Sequence, residues 1–292
     1  MSKTYIIAGG DLRFCALAKQ LSDNNRVYAV GFDADTFASS AVMHCSAVSD
    51  IPECADYLVL PLPVSNDGIY LNTPFDCHKI PLYELTSAVK KDGIVFGGRF
   101  TPDVSKVFTD AGIETVDYLK REELSVLNAR ATAEGAVKIA IEEQPVTIAG
   151  EKILILGMGR IAKSLINILG GFGAEITVAA RKYSDLAWGE IYGCKPLHIS
   201  ELSQSNCLPQ FDLIFNTIPA TVLDHELLSR CRKDCLLIDL ASKPGGIDFD
   251  AAGELGLRVI WALSLPGKTA PVSSGQIIAA AIENILNERG RA

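Results

Sequence analysis

Short runs of consecutive apolar residues recur along this chain of 292 residues, separated by stretches with helical spacing. Fully apolar runs of four or five residues suit strands buried on both faces, as in parallel sheets with helices on either side. In the first half the pattern predicts strands at Thr4–Ala8, Arg26–Gly31, Asp56–Leu60, Gly93–Phe96 and Glu114–Asp117. Helices are predicted between them at Asp11–Leu21, Pro81–Val89 and Thr101–Ala111, with a proline-bearing loop from Pro61 to Pro74. Strands alternating with helices imply a small parallel sheet.

Asn128 to Glu143 reads as one long helix rich in small residues (Ala129, Ala131, Ala133, Gly135, Ala136, Ala140), which permit close packing. Pro145 and Ala149-Gly150 then introduce a second alternating region. Its strands are predicted at 153–156, 176–180, Asp212–Phe215, Cys235–Leu240 and Arg258–Trp261. Its helices are predicted near 163–170, Ser184–Tyr192, Ile199–Ser203, His225–Ser229 and Phe249–Leu255. A final helix, Ser274 to Glu288, carries an apolar stripe at Ile277, Ile278, Ala281, Ile282 and Ile285 and is expected to pack back on the first domain. The expected fold is α/β, with two doubly wound parallel-sheet domains and a cleft between them. Residues 1–127 form a flavodoxin-like substrate domain, joined by the crossing helix 128–144 and the C-terminal helix 274–288. Residues 145–272 form a Rossmann NAD(P)-binding domain.

The chemistry is concentrated in one βαβ unit. The strand Ile153-Leu154-Ile155-Leu156 runs into Gly157-Met158-Gly159-Arg160-Ile161-Ala162, a G-x-G-x-x-A turn that opens a helix. The first glycine permits the tight turn, the second lets the backbone approach a pyrophosphate, and the alanine lets helix and strand pack closely. The helix N-terminus offers free N–H groups and its positive dipole end to the phosphates. The following strand ends in Arg181-Lys182. NAD-binding units usually place there a carboxylate for the ribose 2′-hydroxyl. A guanidinium suits a 2′-phosphate instead. The cofactor expected is therefore NADP, with NAD as the alternative. The other reading of Arg181 is a solvated strand-end residue.

Composition and charge narrow the remaining classes. The residues are 48% hydrophobic and 21% charged, a globular balance. The formal net charge of −8 disfavours nucleic acid and anionic membranes as partners, so an anionic substrate needs local cations. The segment Tyr5–Ala8 is too short for a secretory signal and runs into a glycine turn. The eight cysteines (Cys15, Cys45, Cys54, Cys77, Cys194, Cys207, Cys231, Cys235) are scattered and read as reduced thiols of a cytoplasmic protein. The four histidines at 44, 78, 198 and 225 do not cluster, and no metal site is expected.

Ligands of open parallel sheets bind beyond the carboxyl ends of the strands, and several such ends are distinctive here. Gly9-Gly10-Asp11-Leu12-Arg13 resembles a phosphate turn without its spacing. Asp11 is a helix cap or a proton acceptor, and Arg13 a carboxylate clamp. Asn216-Thr217-Ile218-Pro219 follows a strand whose end lies by the nicotinamide ribose in dinucleotide domains, although Asn also forms turns. Asp239-Leu240-Ala241-Ser242 leads into Lys243-Pro244 and two glycines, placing Ala241 and Ser242 near the cofactor. Leu265-Pro266-Gly267-Lys268-Thr269-Ala270-Pro271 reads as a fixed loop, a rigid connector or a holder for Lys268 and Thr269. Gly97-Gly98-Arg99 adds a further cation at a strand end. Thr132 and Glu134 lie on the crossing helix, and Glu134 suits proton transfer or a helix salt bridge.

Together these segments resemble one family, the A-type subunits of dipicolinate synthase from spore-forming bacteria. The likeness is carried by the 9–13 turn, Val30-Gly31-Phe32-Asp33, Leu60-Pro61-Leu62-Pro63, Asn128 through Thr132-Ala133-Glu134-Gly135, the 156–160 turn, and the segments at 216–219, 239–246 and 265–271. The resemblance implies an NAD(P)-dependent enzyme of a lysine-pathway branch. It would oxidise a dihydrodipicolinate, or its hydroxytetrahydro precursor, to pyridine-2,6-dicarboxylate. It also implies the B-type subunit of dipicolinate synthase as partner, and a mother-cell cytoplasmic location during sporulation. A homo-oligomer is left open. On chemical grounds the substrate contacts are Gly10, Arg13, Pro61, Arg99, Thr132, Lys268 and Thr269, with Glu134 or Asp11 taking the proton. The cofactor contacts are Gly157, Gly159, Arg160, Ile161, Arg181, Lys182, Asn216, Thr217, Ile218, Pro219, Ala241 and Ser242. The rival readings are a shikimate- or 2-hydroxyacid-type dehydrogenase and a non-catalytic NADP-binding subunit.

Overall fold

The computed structural model describes residues 2–76 and 78–291, so Cys77 lies outside the described residues. The chain divides into two units, Met1–Leu127 with Ala270–Ala292, and Asn128–Thr269.

The first unit is built on a six-stranded parallel sheet: β1 (Thr4–Ala8), β2 (Arg26–Val30), β3 (Met43–Cys45), β4 (Ala55–Val59), β5 (Val89–Gly97) and β6 (Glu114–Asp117). Alternate residues of β1 enter different cores. Tyr5 and Ile7 pack with Phe14, Tyr57 and Phe96, whereas Ile6 and Ala8 pack with Leu58, Val95 and Phe108. That two-residue period is what a strand covered on both faces requires. Helices α1 (Leu12–Leu21) and α2 (Pro102–Thr109) supply part of the covering, together with the C-terminal helix Pro271–Glu288. Gly275 lets that last helix approach α1, because a Cβ there would lie 2.3 Å from the Arg13 carbonyl oxygen.

The strand order is β3-β2-β1-β4-β5-β6, the Rossmann order. The flavodoxin-like reading of this unit is therefore corrected. The discrepancy traces to β3, an edge strand of three residues, too short to leave a periodic signal. The helix expected over Pro81–Val89 is a 3₁₀ segment, Leu82–Ala88, and β5 begins at once at Val89. Lys90 stands in that strand, paired with Asp56 at the start of β4 (2.7 Å). The C-terminal helix starts at Pro271 rather than Ser274, since proline suits the first helical position.

The second unit repeats the topology. Helix α3 (Glu122–Glu143) begins before the predicted Asn128 and runs into it. The strands β7 (Lys152–Leu156), β8 (Glu175–Ala180), β9 (Lys195–His198), β10 (Leu213–Asn216), β11 (Leu236–Asp239) and β12 (Arg258–Trp261) are all parallel, in the order β12-β11-β10-β7-β8-β9. Between them lie α4 (Arg160–Gly171), α5 (Tyr183–Ile191), α6 (Glu201–Gln204), α7 (His225–Leu228) and α8 (Phe249–Glu254). Strand β9 contains Pro196, which an edge strand tolerates because one side of its ladder is unpaired. The expected fixed loop at 265–271 is corrected too. Leu265–Thr269 is a short helix, α9, entered through Ser264 at φ +61°. The expected α/β class with two parallel sheets is borne out.

Among the described residues no helix is long and apolar enough to cross a membrane, and no cluster of three metal-ligating side chains occurs. The seven described cysteines are free thiols. Burial pushes Cys15, Cys194 and Cys231 up to about 11, which leaves them inert at neutral pH.

One buried pair at the start of β7 fixes a pH dependence. Glu151 is 6% exposed, and its Oε1 accepts from Gln144 Nε2 at 2.8 Å. Glu151 Oε2 and Gln144 Oε1 are both buried acceptors without a donor. Burial, with the Asp212 charge adding to it, raises the Glu151 carboxyl above its ordinary value. A proton on that carboxyl supplies the missing donor. Folding then takes up a proton, so this contribution is complete below the unfolded value and fades as pH rises through the folded one. Glu151→Gln makes the pair permanently complementary. Thermal melts should show the variant gaining on wild type as pH rises above the ordinary glutamate range and through the raised value of the buried carboxyl. A constant or shrinking difference would contradict the assignment.

Candidate functional site

The first turn of the second unit has the geometry of a dinucleotide cradle. Gly157 adopts φ +100°, and its amide donates to the Ala179 carbonyl at 2.8 Å. A Cβ on Gly157 would lie 2.4 Å from Thr217 Oγ1. Thr217 is held in place by two donations to the Leu156 carbonyl, from its amide at 3.0 Å and its hydroxyl at 2.7 Å. Gly159 is the N-cap of α4 and has no atom within 4 Å of where its Cβ would stand. Open space above exposed helix N–H groups is what a pyrophosphate needs. Arg160 and half-buried Ile161 open the helix, and Ala162, fully buried, packs beneath it.

Two further loops at this sheet edge hang on one buried carboxylate. Asp239 has no solvent exposure. Its Oδ1 accepts from Asn216 Nδ2 (2.8 Å) and the Ala241 amide (2.9 Å), and its Oδ2 from the amides of Gly246 (2.7 Å) and Ile247 (3.3 Å). Asn216 also bonds Ile218 at both its amide (3.1 Å) and its carbonyl (3.0 Å). Gly246 is obligatory, since a Cβ would lie 2.3 Å from Asn216 Nδ2. Asn216 is therefore corrected from a cofactor contact to the anchor that shapes Thr217, Ile218 and exposed Pro219. Ala241 is likewise buried, and its carbonyl accepts from the Trp261 indole at 3.0 Å, while Ser242 next to it is exposed.

Beyond β8, Arg181 and Lys182 are exposed, and their side chains make no hydrogen bond or ion pair with a described residue. The Arg181 carbonyl accepts from His198 Nε2 at 3.0 Å.

The equivalent turn of the first unit is closed by its own chain. Gly9 and Gly10 have positive φ, but the Gly10 amide donates to the Asn72 carbonyl at 3.0 Å. A Cβ on Gly9 would lie 2.7 Å from that same oxygen. The loop after β4 thus fills the space that the second unit leaves open. Asp11 caps α1 through the Arg13 amide (3.0 Å), and Arg13, 8% exposed, grips both carboxylate oxygens at 2.8–3.1 Å. Asp11 as a free proton acceptor and Arg13 as a free clamp are corrected accordingly: each neutralises the other. Buried Pro61 accepts from the Gly98 amide at 3.2 Å and supports the next loop. There Arg99 sits at φ +63°, with its amide and that of Phe100 donating to Asp117. Left-handed backbone at a non-glycine residue marks a constrained position, and it presents this exposed guanidinium at the end of β5.

On α3, Glu134 is exposed and pairs with Arg130 one turn away (3.5 Å), followed by the Lys138–Glu142 pair. It belongs to a solvated stripe of i,i+4 pairs, not to the small-residue face, and its expected proton-transfer position is corrected on that ground. Thr132 bonds back to the Asn128 carbonyl (3.0 Å). Gly135 faces α9, where a Cβ would lie 2.8 Å from Thr269 Oγ1. Beside it, Lys268 is exposed and its ammonium has no described partner.

Residues 4–119 match the family of N-terminal domains of the A-type dipicolinate synthase polypeptide. Residues 126–243 match the D-isomer specific 2-hydroxyacid dehydrogenase, NAD binding domain. The chain is 28% identical over 285 residues to the A-type subunit of dipicolinate synthase from Bacillus subtilis (strain 168), covering 97% of this chain and 95% of that one. The crystal structure of the A-type dipicolinate synthase subunit from Bacillus halodurans superposes with TM-score 0.86 at 30% identity, over 97% of both chains. The chain belongs to the A-type dipicolinate synthase family. A transhydrogenase from Sinorhizobium meliloti shares the fold, with TM-score 0.70 at 16% identity over 99% of this chain and 95% of that one. This member of the dipicolinate synthase family is an NAD(P)-dependent oxidoreductase with a Rossmann-type domain, and the open turn at Gly159 fits the nicotinamide dinucleotide that such a domain holds.

Sequence reasoning missed His198, Tyr183 and Ser200 beside the basic doublet. The strand that carries His198 is interrupted by Pro196, which hides its periodicity. Asp239 was visible only as a strand-end acid, because its side-chain donor, Asn216, lies 23 positions away and its amide donors depend on how the loop after β11 folds back.

Gly157→Ala tests the turn. Positive φ and the contact with Thr217 oppose any side chain, so the variant should lose about 1–3 kcal/mol of stability. Its dinucleotide affinity, read by fluorescence titration, should fall with it. Wild-type affinity in the variant would rule out a need for this tight turn in binding the dinucleotide.

Proposed function

We propose that this chain oxidises dihydrodipicolinate, or its hydroxytetrahydro precursor, to pyridine-2,6-dicarboxylate with NADP⁺. The observation that carries the cofactor preference is the pair of cations at Arg181 and Lys182, whose side chains have no partner among the described residues, where an NAD site carries a carboxylate. Support for the product comes from the names of the relatives that match nearly the whole chain.

A bound nicotinamide supplies the hydride acceptor. The chain does the rest by placement. Gly159 and the N-terminus of α4 admit the pyrophosphate, and the Asn216–Asp239 hub fixes the loops at the end of β10 and β11. The ring that loses a hydride and a proton becomes aromatic, so a strong base is not required. Lys268, whose ammonium has no partner among the described residues, is proposed as one carboxylate clamp. Arg99, fixed at the end of β5 in the first unit, is proposed as another. Thr132 and Thr269 are proposed as polar contacts to the substrate. Asp11 is engaged by Arg13 and Glu134 lies on the solvated face of α3, so water is proposed as the proton's first acceptor.

The relatives are named as one subunit of dipicolinate synthase, and its B-type subunit is proposed as the partner of this chain on that basis. A mother-cell cytoplasmic location during sporulation is part of the same proposal.

The deciding experiment couples the purified chain to dihydrodipicolinate synthase, its substrates and NADP⁺. NADPH absorbance and the ultraviolet band of dipicolinate should rise together. NADP binding without turnover would instead support a polypeptide that needs its partner, and turnover of a 2-hydroxyacid would support the rival dehydrogenase. Arg181→Asp should raise the NADP KM about tenfold to a hundredfold while improving use of NAD, the scale of one or two charge-assisted hydrogen bonds. Lys268→Ala should raise the substrate KM about tenfold and leave the NADP KM unchanged. Equal effects on both would remove Lys268 as a clamp.

A further inference from the structure

Resting on the 2′-phosphate reading of the basic doublet, we infer that His198 is a positioning residue that fixes the Arg181-Lys182 turn and thereby sets the preference for a 2′-phosphorylated dinucleotide. The backbone on either side of Arg181 is held, since the Ala180 carbonyl accepts from the Ile199 amide at 3.1 Å and the Lys182 carbonyl from the amides of Asp185 and Leu186 at 2.9 and 3.1 Å. Lys182 is the N-cap of α5 and its side chain makes no capping bond, since an ammonium has no acceptor to offer the free amides. Two long cationic side chains lose conformational entropy on binding a phosphate, and a mobile peptide at Arg181 would add to that loss.

His198 supplies the anchor from the neighbouring strand. It pairs in register with Ala180, the last residue of β8. Its ring reaches past that pair to the next residue, and Nε2 donates to the Arg181 carbonyl at 3.0 Å. The ring also stacks on Tyr183, with centroids 5.3 Å apart and planes 22° apart. Tyr183 is the first residue of α5 and is 78% exposed. One imidazole therefore grips the residues on both sides of Lys182. A carbonyl only accepts, so Nε2 carries the proton, and in the neutral ring Nδ1 then accepts from the Ser200 hydroxyl at 2.7 Å. Every polar atom of the ring is committed, and each commitment holds the turn or orients the ring that does. His198 stands behind the doublet and acts on the phosphate only through the backbone it fixes.

Isothermal titration of the full chain with adenosine 2′,5′-bisphosphate and with AMP tests this without any substrate. Wild type should prefer the bisphosphate. His198→Ala should weaken the bisphosphate about tenfold, the worth of roughly one well-placed hydrogen bond, and leave AMP within about twofold. His198→Gln places an amide Nε2 near the same carbonyl and should restore most of the preference. His198→Phe keeps the stack without the hydrogen bond and repeats the test if the alanine variant folds poorly. A merely structural role would weaken both ligands together. That result, or an unchanged ratio in the alanine and phenylalanine variants, overturns the inference. Arg181→Ala separates the two levels. If it abolishes the preference while the His198 variants do not, the 2′-phosphate reading stands and the positioning role falls. If wild type does not prefer the bisphosphate, both fall.

Discussion

The edge of the second sheet depends on one buried charge. A carboxylate removed from water costs several kcal/mol unless hydrogen bonds replace its hydration. Asp239 has no exposure, and four donors converge on it, three of them backbone amides. Those amides belong to the loop after β11, and the fourth donor, Asn216, ends β10. Satisfying one charge therefore fixes both loops, and Asn216 passes the constraint to Ile218, next to Thr217, whose hydroxyl occupies the space a Cβ on Gly157 would need. The glycine turn, the loop after β10 and the loop after β11 behave as one preorganised rim. Loss of any donor leaves the others around an undercompensated charge.

The same strand order occurs twice in this chain, yet one copy is open at its first turn and the other is closed. The difference lies in short stretches of sequence. In the second unit a glycine at the N-cap of α4 faces empty space, and the carbonyls nearby are used by the rim. In the first unit the loop after β4 runs back so that Asn72 accepts from Gly10, and Asp11 with Arg13 fills the position next to it. The first turn thus keeps two positive-φ glycines, but the amides of both glycines and of Arg13 are already used within the chain. Fold identity alone does not transfer function between the copies.

How much of this was legible follows from the range of each interaction. The strands of both sheets were readable because buried parallel strands are continuous apolar runs. The strands β3 and β9 were not, being edge strands of three and four residues, one of them broken by proline. The glycine turn and the basic doublet were legible because their meaning lies in adjacent residues. The fate of Asn216 was not, since its partner Asp239 is 23 positions away and the pairing depends on register. Asp11 and Glu134 misled for the opposite reason. Their partners, two and four residues away, were in plain view, and only the burial of Arg13 and the solvated face of α3 decide between chemistry and salt bridge.

The electrostatics of cofactor choice are local for a physical reason. A formal charge of −8 sets a field that opposes an anionic dinucleotide at long range. At physiological salt that field is screened beyond roughly 8–10 Å. Within that distance the helix dipole of α4 and, on the proposed reading, Arg181 and Lys182, which pair with no other described residue, would act on the phosphates with little competition. An exposed guanidinium gains little from a phosphate if ordering it costs as much as the contact returns. On the proposed reading, selectivity rests less on the presence of Arg181 than on how far its backbone is fixed before the ligand arrives. The hydrogen bond from His198 to the Arg181 carbonyl and the stack on Tyr183 involve no ion pair, and they fix that backbone in advance. Charge would then supply the attraction, and a fixed backbone the discrimination.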